Sequence, residues 1–225
     1  MNIINSPVFK YVDKRWFFLS FIPLNGKVLD IGCGGGRFIS RYKSLRPDIE
    51  FYGVDISDTT KQLDNLVKGF FVCDISKDIL PFETNYFDGF ICAHVIEHLG
   101  CNEAILHFLK ESHRILKDEG YGYIETPSDR SLKVPSVSYF SHKSDGPMNF
   151  YDDPTHNYFV HSSEMENNFL KTSLTIISSG LYRNFFIVIL ALFLPIYFLF
   201  INKKYVVAFI HHLVGWSYCW LVKKS

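Results

Sequence analysis

The stretch VLDIGCGGGRF, residues 28–38, decides how this chain folds. A brief apolar run that contains Asp30 comes immediately before a run of glycines at positions 32, 34, 35 and 36. Apolar side chains then recur at helical spacing until Pro47. A strand, a glycine turn and a helix in this order predict the first unit of a doubly wound α/β sheet.

The same alternation of apolar runs and helical patterns continues along the chain. The further predicted strands are residues 51–54, 70–73, 89–93 and 122–126, with weaker candidates at 174–181 and 217–223. A helix predicted to start at Asn102 would end at Gly120, because glycine suits the left-handed conformation of a C-terminal cap. The expected fold is therefore α/β, a Rossmann-like sheet of seven mostly parallel strands with helices on both faces.

The composition narrows the expected partners and compartment. The 23 basic and 23 acidic residues balance to a net charge of zero, so we expect no basic stripe and no nucleic-acid partner. The five cysteines have no metal-ligand spacing, and we expect no bound metal. Their odd number, without a secretory signal at the start, predicts a protein of the reducing cytosol.

Three aspartates at predicted strand ends indicate which nucleotide the glycine turn serves. Arg37 replaces the third glycine of G-x-G-x-x-G, which disfavours a dinucleotide fingerprint, and the missing GK[ST] sequence excludes a P-loop. Asp30 would repel a diphosphate but attract an ammonium group. Asp55, nineteen residues after Gly36, is placed to accept ribose hydroxyls, and Asp74 is placed to meet an adenine amino group. An amino acid joined to adenosine matches these contacts better than NAD does.

Five segments in order resemble the successive motifs of class I S-adenosylmethionine-dependent methyltransferases. They are VLDIGCGGGRF, YGVDIS, FFVCDISKDILPF, YFDGFICAHVIEHL and HRILKDEGYGYIETP, within residues 26–127. They are most similar to the broad group that methylates small molecules, lipids and sugars, and DPTHNYF at residues 153–159 is a weaker match. The resemblance implies S-adenosyl-L-methionine as the cofactor.

The resemblance also implies which residues contact the cofactor. The methionine part would be held by Asp30, Gly32, Cys33 and Gly34. The ribose and adenine would be held by Asp55, Ile56, Asp74 and Ile75, and the sulfonium would lie near Ala93 and His94. An alternative for Asp74 is that it only caps the segment that follows it.

Methyl transfer to a hydroxyl needs in-line positioning and a base. We expect His156 to be that base, oriented by Asp153, because histidine titrates near neutral pH. His98 and His142 are the other candidates. His156 could equally serve to hold a loop, and Glu97 and His98 could serve only packing and capping.

The apolar segment 183–216 is expected to be a helical insertion in the α/β domain, which comprises residues 1–182 and 217–225. Residues 185–201 carry no charge, yet as a helix they extend only about 25 Å. That length is short of the roughly 30 Å hydrocarbon core of a bilayer.

Basic residues flank both apolar stretches of residues 185–222, which disfavours a hairpin that crosses the membrane twice. We therefore expect these residues to make peripheral contact with a membrane surface, with aromatic side chains as interface anchors. The expected anchors are Trp216, Tyr218 and Trp220. The alternative is that these helices pack on the domain or across a dimer.

Together these features predict an enzyme that methylates a hydroxyl of a small-molecule, lipid-linked or glycan acceptor. The protein is expected in the cytoplasm or at the cytoplasmic face of a membrane, and the sequence leaves its oligomeric state open. Transfer of the methyl group to a carbon or nitrogen atom is also left open. Two other classes of function remain as alternatives: a noncatalytic S-adenosylmethionine-binding or scaffold protein at the membrane, and an NAD(P)-linked enzyme.

Overall fold

The computed structural model describes residues 13–63, 65–136, 147–184, 186–189 and 210–225. Strands and helices alternate along most of them. In chain order the elements are α1 (Lys14–Leu19), β1 (Lys27–Ile31), α2 (Arg37–Lys43), β2 (Glu50–Asp55), α3 (Thr60–Leu63), β3 (Gly69–Val72), β4 (Phe87–Ala93), α4 (Asn102–Ile115), β5 (Leu116–Pro127), α5 (Ser162–Lys171), β6 (Leu174–Tyr182) and β7 (Ser217–Lys224). Two short 3₁₀ turns, Ile96–His98 and Phe150–Asp152, carry residues of the site described below.

The seven strands form one sheet in the order β3-β2-β1-β4-β5-β7-β6. Strands β1 to β5 pair in parallel, whereas β7 runs antiparallel between β5 and β6. The predicted Rossmann-like sheet of seven mostly parallel strands is confirmed. Its order reverses between β1 and β4, and open α/β sheets bind ligands at the carboxyl ends of the strands beside such a switch point.

Helices cover both faces of the sheet, as predicted. On one face, Phe108 of α4 and Phe169 of α5 pack into a core that includes Phe90 of β4. On the other face, α1 and α2 pack against a second core that includes Ile91. Adjacent residues of β4 thus enter opposite cores, as the twofold repeat of a strand requires. Both layers are apolar, so the sheet is a rigid base for side chains at its edge.

The end of helix α4 differs from the prediction. The helix stops at Ile115, five residues before Gly120, and β5 begins at once. Glu119, not Gly120, has the left-handed φ, at 65°. A Cβ on Gly120 would lie 2.8 Å from the carbonyl oxygen of Lys117. Glycine is therefore needed there for space and not for a helix cap.

Most of the predicted apolar insertion, residues 190–209, lies outside the described residues. Its described flanks, residues 186–189 and 210–214, are short helical segments. Within the part of the chain that the structure describes, no helix is both long and apolar enough to cross a bilayer.

The expectation that aromatic residues near the C-terminus anchor the chain in a membrane was wrong for the two tryptophans. Trp220 is completely buried and Trp216 nearly so. Trp220 belongs to β7, an interior strand whose two faces are both covered, and Trp216 donates from Nε1 to the carbonyl oxygen of Met148 at 2.6 Å. Tyr218 is half-buried beside Trp220, with the ring centroids 4.8 Å apart.

Candidate active site

A cavity of about 360 Å³ opens at the carboxyl ends of the parallel strands, beside the switch point. Six of the ten predicted cofactor contacts line it: Gly32, Asp55, Ile56, Asp74, Ile75 and His94. They come from four separate segments of the chain, and the sheet brings them together because each follows a strand. The other four predicted residues do not line it but are within two positions along the chain of residues that do: Asp30, Cys33, Gly34 and Ala93.

The glycine turn after β1 needs glycine for two different reasons. Gly32 has φ +71°, and a Cβ on it would lie only 2.3 Å from Cγ2 of Val95. Gly34 is also left-handed, at φ +49°, but a Cβ there would meet nothing within 4 Å. The N–H groups of Gly32 and Cys33 donate to the carbonyl oxygen of Val54, at 2.8 and 3.1 Å. The turn is thus pinned to β2 while Gly34 is open to an approaching ligand.

Cys33 and Ala93 pack into the core on the face of the sheet that α1 and α2 cover. The Cys33 side chain is buried, and burial raises the pKa of its thiol to about 12. Ala93 is half-buried and packs against the core that contains α1 and α2. Cys33 therefore acts as a small apolar side chain that supports the glycine turn.

Asp30 is a buried carboxylate with an unused oxygen. Its exposed fraction is 5%, and Oδ2 has no hydrogen-bond partner among the residues that the structure describes. Burial raises the pKa of Asp30 to about 8, and nearby Asp55 adds to that rise while Arg15 opposes it. A buried acceptor without a donor lowers the stability of the fold, so a cationic group of a ligand would be bound favourably at this oxygen. An ammonium group placed next to the glycine turn would meet that need.

Asp55, at the end of β2, holds the glycine turn with its side chain. Oδ2 accepts the N–H of Gly34 at 2.8 Å, and Oδ1 accepts the N–H of Ser57 at 2.9 Å. Each carboxylate oxygen can still accept another hydrogen bond, because an ionised carboxylate has about four acceptor sites. Asp55 can therefore shape the turn and receive ligand hydroxyls at the same time.

Replacing Asp55 with asparagine is expected to weaken cofactor binding about tenfold or more. The amide retains one acceptor oxygen, so either the bond to Gly34 or the bonds to ligand hydroxyls lose a charged acceptor, at about 1.5–3 kcal/mol. The check is a calorimetric titration of the variant with the cofactor. An unchanged dissociation constant would show that Asp55 makes no contact with it.

Asp74 caps the segment that follows it and also lines the cavity. Oδ1 accepts the N–H of Ser76 at 3.1 Å and its hydroxyl at 2.6 Å, so Asp74 does cap the following turn. These bonds and the contact of Oδ2 with Lys77 lower the pKa of Asp74. The residue nevertheless lines the cavity beside Ile75. Its oxygens thus lie at the cavity wall in charged form.

His94, at the end of β4, belongs to a network of charged groups that includes two buried carboxylates. Its Nε2 is 3.0 Å from Glu125 and its Nδ1 is 3.3 Å from Glu97. Burial opposes protonation, but the bonds to Glu125 and Glu97 outweigh it and raise the pKa of His94 to about 9. Arg15 completes the network with a 3.0 Å ion pair to Glu125. Both imidazole nitrogens are thus engaged, and His94 has a left-handed φ of 58° that directs it into the cavity wall.

The predicted catalytic pair, His156 and Asp153, lies next to the cavity but does not line it. The His156 side chain is 4% exposed, and its Nε2 is 3.8 Å from Oδ2 of Asp153. His98 does line the cavity, and its ring packs on His156 with centroids 5.0 Å apart. His142, the third candidate, falls outside the described residues.

Sequence reasoning missed Arg15, Glu125 and Val95. Glu125 is an acid inside the otherwise apolar end of β5, and it is 1% exposed. A buried charge needs a partner, so its position in an apolar strand was a signal that could have been used. Val95 offered no such signal, because only the folded turn shows that it packs on Gly32.

Comparison with known proteins agrees with this arrangement. A family model described as a methyltransferase domain matches residues 29–124. A tRNA (carboxymethyluridine(34)-5-O)-methyltransferase of Xenopus tropicalis is 32% identical over 111 residues, covering 48% of this chain and 16% of that protein. A protein of the same name from Arabidopsis thaliana is 29% identical over 104 residues, covering 46% of this chain and 24% of that protein. The chain therefore matches about a quarter or less of the length of each of these relatives.

Solved structures share the fold. A SAM-dependent methyltransferase from Archaeoglobus fulgidus aligns with a TM-score of 0.60 at 23% identity, covering 93% of this chain and 90% of that one. A geranyl diphosphate C-methyltransferase from Streptomyces coelicolor, in complex with Mg²⁺, geranyl diphosphate and S-adenosyl-L-homocysteine, aligns with a TM-score of 0.62 at 11% identity, covering 94% and 78%.

The expectation that nucleic acid is excluded as a partner was wrong. The two curated relatives are, by name, methyltransferases of tRNA. A net charge of zero is an average over the chain, whereas contacts to phosphates depend on the local arrangement of basic groups. Neutrality could therefore not exclude that class of partner.

The residues present fit S-adenosylmethionine. The unused oxygen of Asp30 suits its ammonium group, the open turn at Gly34 admits its backbone, and Asp55 and Asp74 offer acceptors along the cavity. The matched domain, the strand order and the cavity at the switch point all indicate a methyltransferase fold. Residues 29–124 match a methyltransferase domain, the chain has the fold of S-adenosylmethionine-dependent methyltransferases, and S-adenosylmethionine is the cofactor that this site fits.

Proposed function

We propose that this chain transfers the methyl group of S-adenosylmethionine to an oxygen atom of its acceptor. The use of S-adenosylmethionine is supported by Asp30, whose buried Oδ2 has no partner among the described residues and lies next to an open glycine turn. The choice of an oxygen atom as the acceptor is supported by two histidines, His98 and His156, whose rings are in contact at the edge of the cavity. The names of the two curated relatives, both 5-O-methyltransferases, support it as well.

Six of the ten predicted cofactor contacts receive a direct role along the nucleoside and methionine parts in this proposal. Asp30 accepts the ammonium group of the methionine part, and the backbone of the turn around Gly34 lies against it. Asp55 accepts the ribose hydroxyls, and Asp74 accepts the amino group of adenine. Ile56 and Ile75 supply the apolar cavity wall against which a purine ring packs.

The reacting end of the cavity lies at His94 and His98. S-adenosylmethionine supplies a methyl group already activated by the positive sulfur, so catalysis consists mainly of in-line positioning. His94 holds its position through Glu97 and Glu125, and neither of its nitrogens is available as a base. The acceptor oxygen therefore belongs beside His98, with His156 and Asp153 directly behind it.

Two classes of acceptor follow from different observations. The sequence motifs favour a hydroxyl of a small-molecule, lipid-linked or glycan acceptor. The relatives' names favour an RNA acceptor. Both classes offer an oxygen that can approach the His98 edge of the cavity.

The test uses the purified chain with S-adenosylmethionine labelled in its methyl group. Separate reactions receive a small-molecule extract, a lipid extract, a glycan fraction and total RNA, and the labelled product is identified by mass spectrometry. We expect label on an oxygen atom in one fraction, and far less label with the Asp30→Asn variant at the same low concentration of S-adenosylmethionine. Cofactor binding without label in any fraction would instead support the noncatalytic alternative.

A further inference from the structure

We propose that Glu97, His98 and His156 form a binding site for a divalent first-row transition-metal ion at the edge of the cofactor cavity. One ligand atom from each of the three side chains lies within 4.8 Å of the other two. The ion would bind an acceptor oxygen, so the proposal deepens and rests on the proposed function. It also departs from the sequence-based expectation of no metal, which considered only the spacing of the cysteines.

The two histidines have the tautomer that a metal site requires. Nδ1 of His98 lies 2.9 Å from the carbonyl oxygen of Thr155, and Nδ1 of His156 lies 2.6 Å from that of Phe150. A carbonyl oxygen only accepts, so each Nδ1 is the N–H donor, and Nε2 is the nitrogen left to bind an ion. Histidines that bind metals commonly donate their other N–H in this way, which fixes the ring and raises its basicity.

The third ligand is a buried carboxylate in a fixed position. The Glu97 side chain is fully buried, and Oε2 accepts the hydroxyl of Thr126 at 3.2 Å. The carbonyl oxygen of Glu97 accepts the N–H groups of Asn157 and Tyr158, at 3.0 and 3.1 Å. These bonds join the 3₁₀ turn after β4 to the loop that carries His156. The cluster is therefore organised before any ligand arrives.

The spacing suits an ion after a small adjustment. Ligand atoms about 2.1 Å from a central ion lie at most about 4.2 Å apart. The three atoms of this cluster lie within 4.8 Å of one another, so a small closure of the side chains brings them into range. Asp153, 3.8 Å from Nε2 of His156, adds a further carboxylate next to the cluster. Two imidazoles and one carboxylate favour Mn²⁺, Fe²⁺, Co²⁺ or Zn²⁺ over Mg²⁺ and Ca²⁺, which prefer oxygen ligands.

An ion bound at His98 would be close enough to the cofactor cavity to take part in methyl transfer. Because His98 lines the cofactor cavity, the remaining coordination positions open toward the acceptor. A hydroxyl bound there loses its proton to solvent water more easily, as the pKa of a ligand oxygen falls on a cation. The oxygen lone pair forms the new O–C bond, and the electron pair of the broken C–S bond remains on the neutral sulfur. His156 then acts as an ion ligand in place of a free base.

The experiment titrates the full chain, freed of metal with EDTA, with MnCl₂ alone and follows free Mn²⁺ by electron paramagnetic resonance. We expect one bound Mn²⁺ per chain, displaced by ZnCl₂. His156→Ala and His98→Ala should each weaken the binding of Mn²⁺ by at least about tenfold. Losses of about tenfold to a hundredfold are typical when a group that supports a metal site is removed. His161→Ala makes the same change at an exposed histidine outside the cluster and should leave Mn²⁺ binding unchanged.

The outcomes separate this site from the proposed function. Thermal unfolding shows that each variant folds, and His156→Ala should retain its affinity for S-adenosylmethionine because His156 does not line that cavity. Binding of Mn²⁺ without methylation of any fraction supports the site and contradicts the proposed function. If neither Mn²⁺ nor Zn²⁺ binds and methyl transfer proceeds at full rate in EDTA, the metal site is disproved. The proposed function is then unaffected.

Discussion

Asp30→Asn is expected to weaken the binding of S-adenosylmethionine about a hundredfold. Asp30 is buried and its Oδ2 has no partner within the described residues, so the cofactor ammonium would meet a dedicated counter-charge. The amide keeps the shape of the side chain but not its charge. Loss of one partner from a buried charged pair costs about 2–5 kcal/mol, and each 1.4 kcal/mol is roughly tenfold in affinity. Isothermal titration calorimetry measures the change directly.

The same carboxyl predicts how binding depends on pH. The pKa of Asp30 is about 8 without ligand, so below pH 8 it has to lose a proton before it can pair with an ammonium. The affinity of the wild type should therefore rise as pH increases, approaching tenfold per unit between about pH 6 and pH 7. It should fall again above about pH 8, where an α-amino group itself loses its proton. Asp30→Asn should lose the rise on the acid side.

Without the cofactor, Asp30→Asn should stabilise the fold. The pKa of Asp30 is higher in the folded chain, about 8, than its ordinary value of 3.8. The folded state thus holds the proton more tightly, and stability declines as pH rises from about 4 to 8. The difference in melting temperature between variant and wild type should widen over that window.

A matched control for these measurements is Asp118→Asn, the same change at a residue whose side chain is 80% exposed. It should alter neither the affinity for S-adenosylmethionine nor its pH dependence. Equal affinities for wild type and Asp30→Asn at pH 7.5 would contradict the placement of the ammonium at Asp30.

Gly32→Ala is expected to lower the free energy of unfolding by about 2–5 kcal/mol and to abolish cofactor binding. The left-handed φ of +71° costs a residue with a Cβ about 1–2 kcal/mol, and the methyl would lie 2.3 Å from Cγ2 of Val95. Overpacking of this kind typically costs about 1–3 kcal/mol more. Relief of the clash moves the turn that faces the cofactor. Urea denaturation and calorimetry measure the two effects.

Gly34→Ala distinguishes the cost of a left-handed backbone from the cost of a steric clash with Val95. Gly34 is also left-handed, but its Cβ would meet nothing within 4 Å, so only the cost of about 1–2 kcal/mol for the backbone applies. The double variant Gly32→Ala, Val95→Ala should regain part of the lost stability. Equal destabilisation by Gly32→Ala and Gly34→Ala would show that Val95 does not restrict this position.

The fold was predictable because its signals are local and repeat along the chain. Each strand is a short apolar run, and Asp55 and Asp74 mark where two of them end. The glycine turn distinguishes this sheet from other α/β sheets, because positions 32, 34 and 36 all take a positive φ. The strand order follows from short connections between parallel strands. Only the antiparallel place of β7, between β5 and β6, needed the structure.

The site was predictable only where a residue's place along a strand determines its neighbours. Gly32, Asp55 and Asp74 follow strands, and the sheet brings strand ends together. The contact of His98 with His156 joins residues 58 positions apart through a loop, which no periodicity encodes. The ion pair of Arg15 with Glu125 likewise joins α1 to β5 across the sheet face. Such contacts depend on the packing of the whole domain.

The most direct test of the account is a calorimetric comparison of two nucleotides on the purified chain. S-adenosylmethionine and NAD⁺ differ at the end that faces Asp30, where one carries an ammonium and the other a diphosphate. We predict that S-adenosylmethionine binds with a stoichiometry of one and that NAD⁺ gives no heat of binding. Binding of NAD⁺ at the same site, or no binding of S-adenosylmethionine, would contradict the assignment of this cavity.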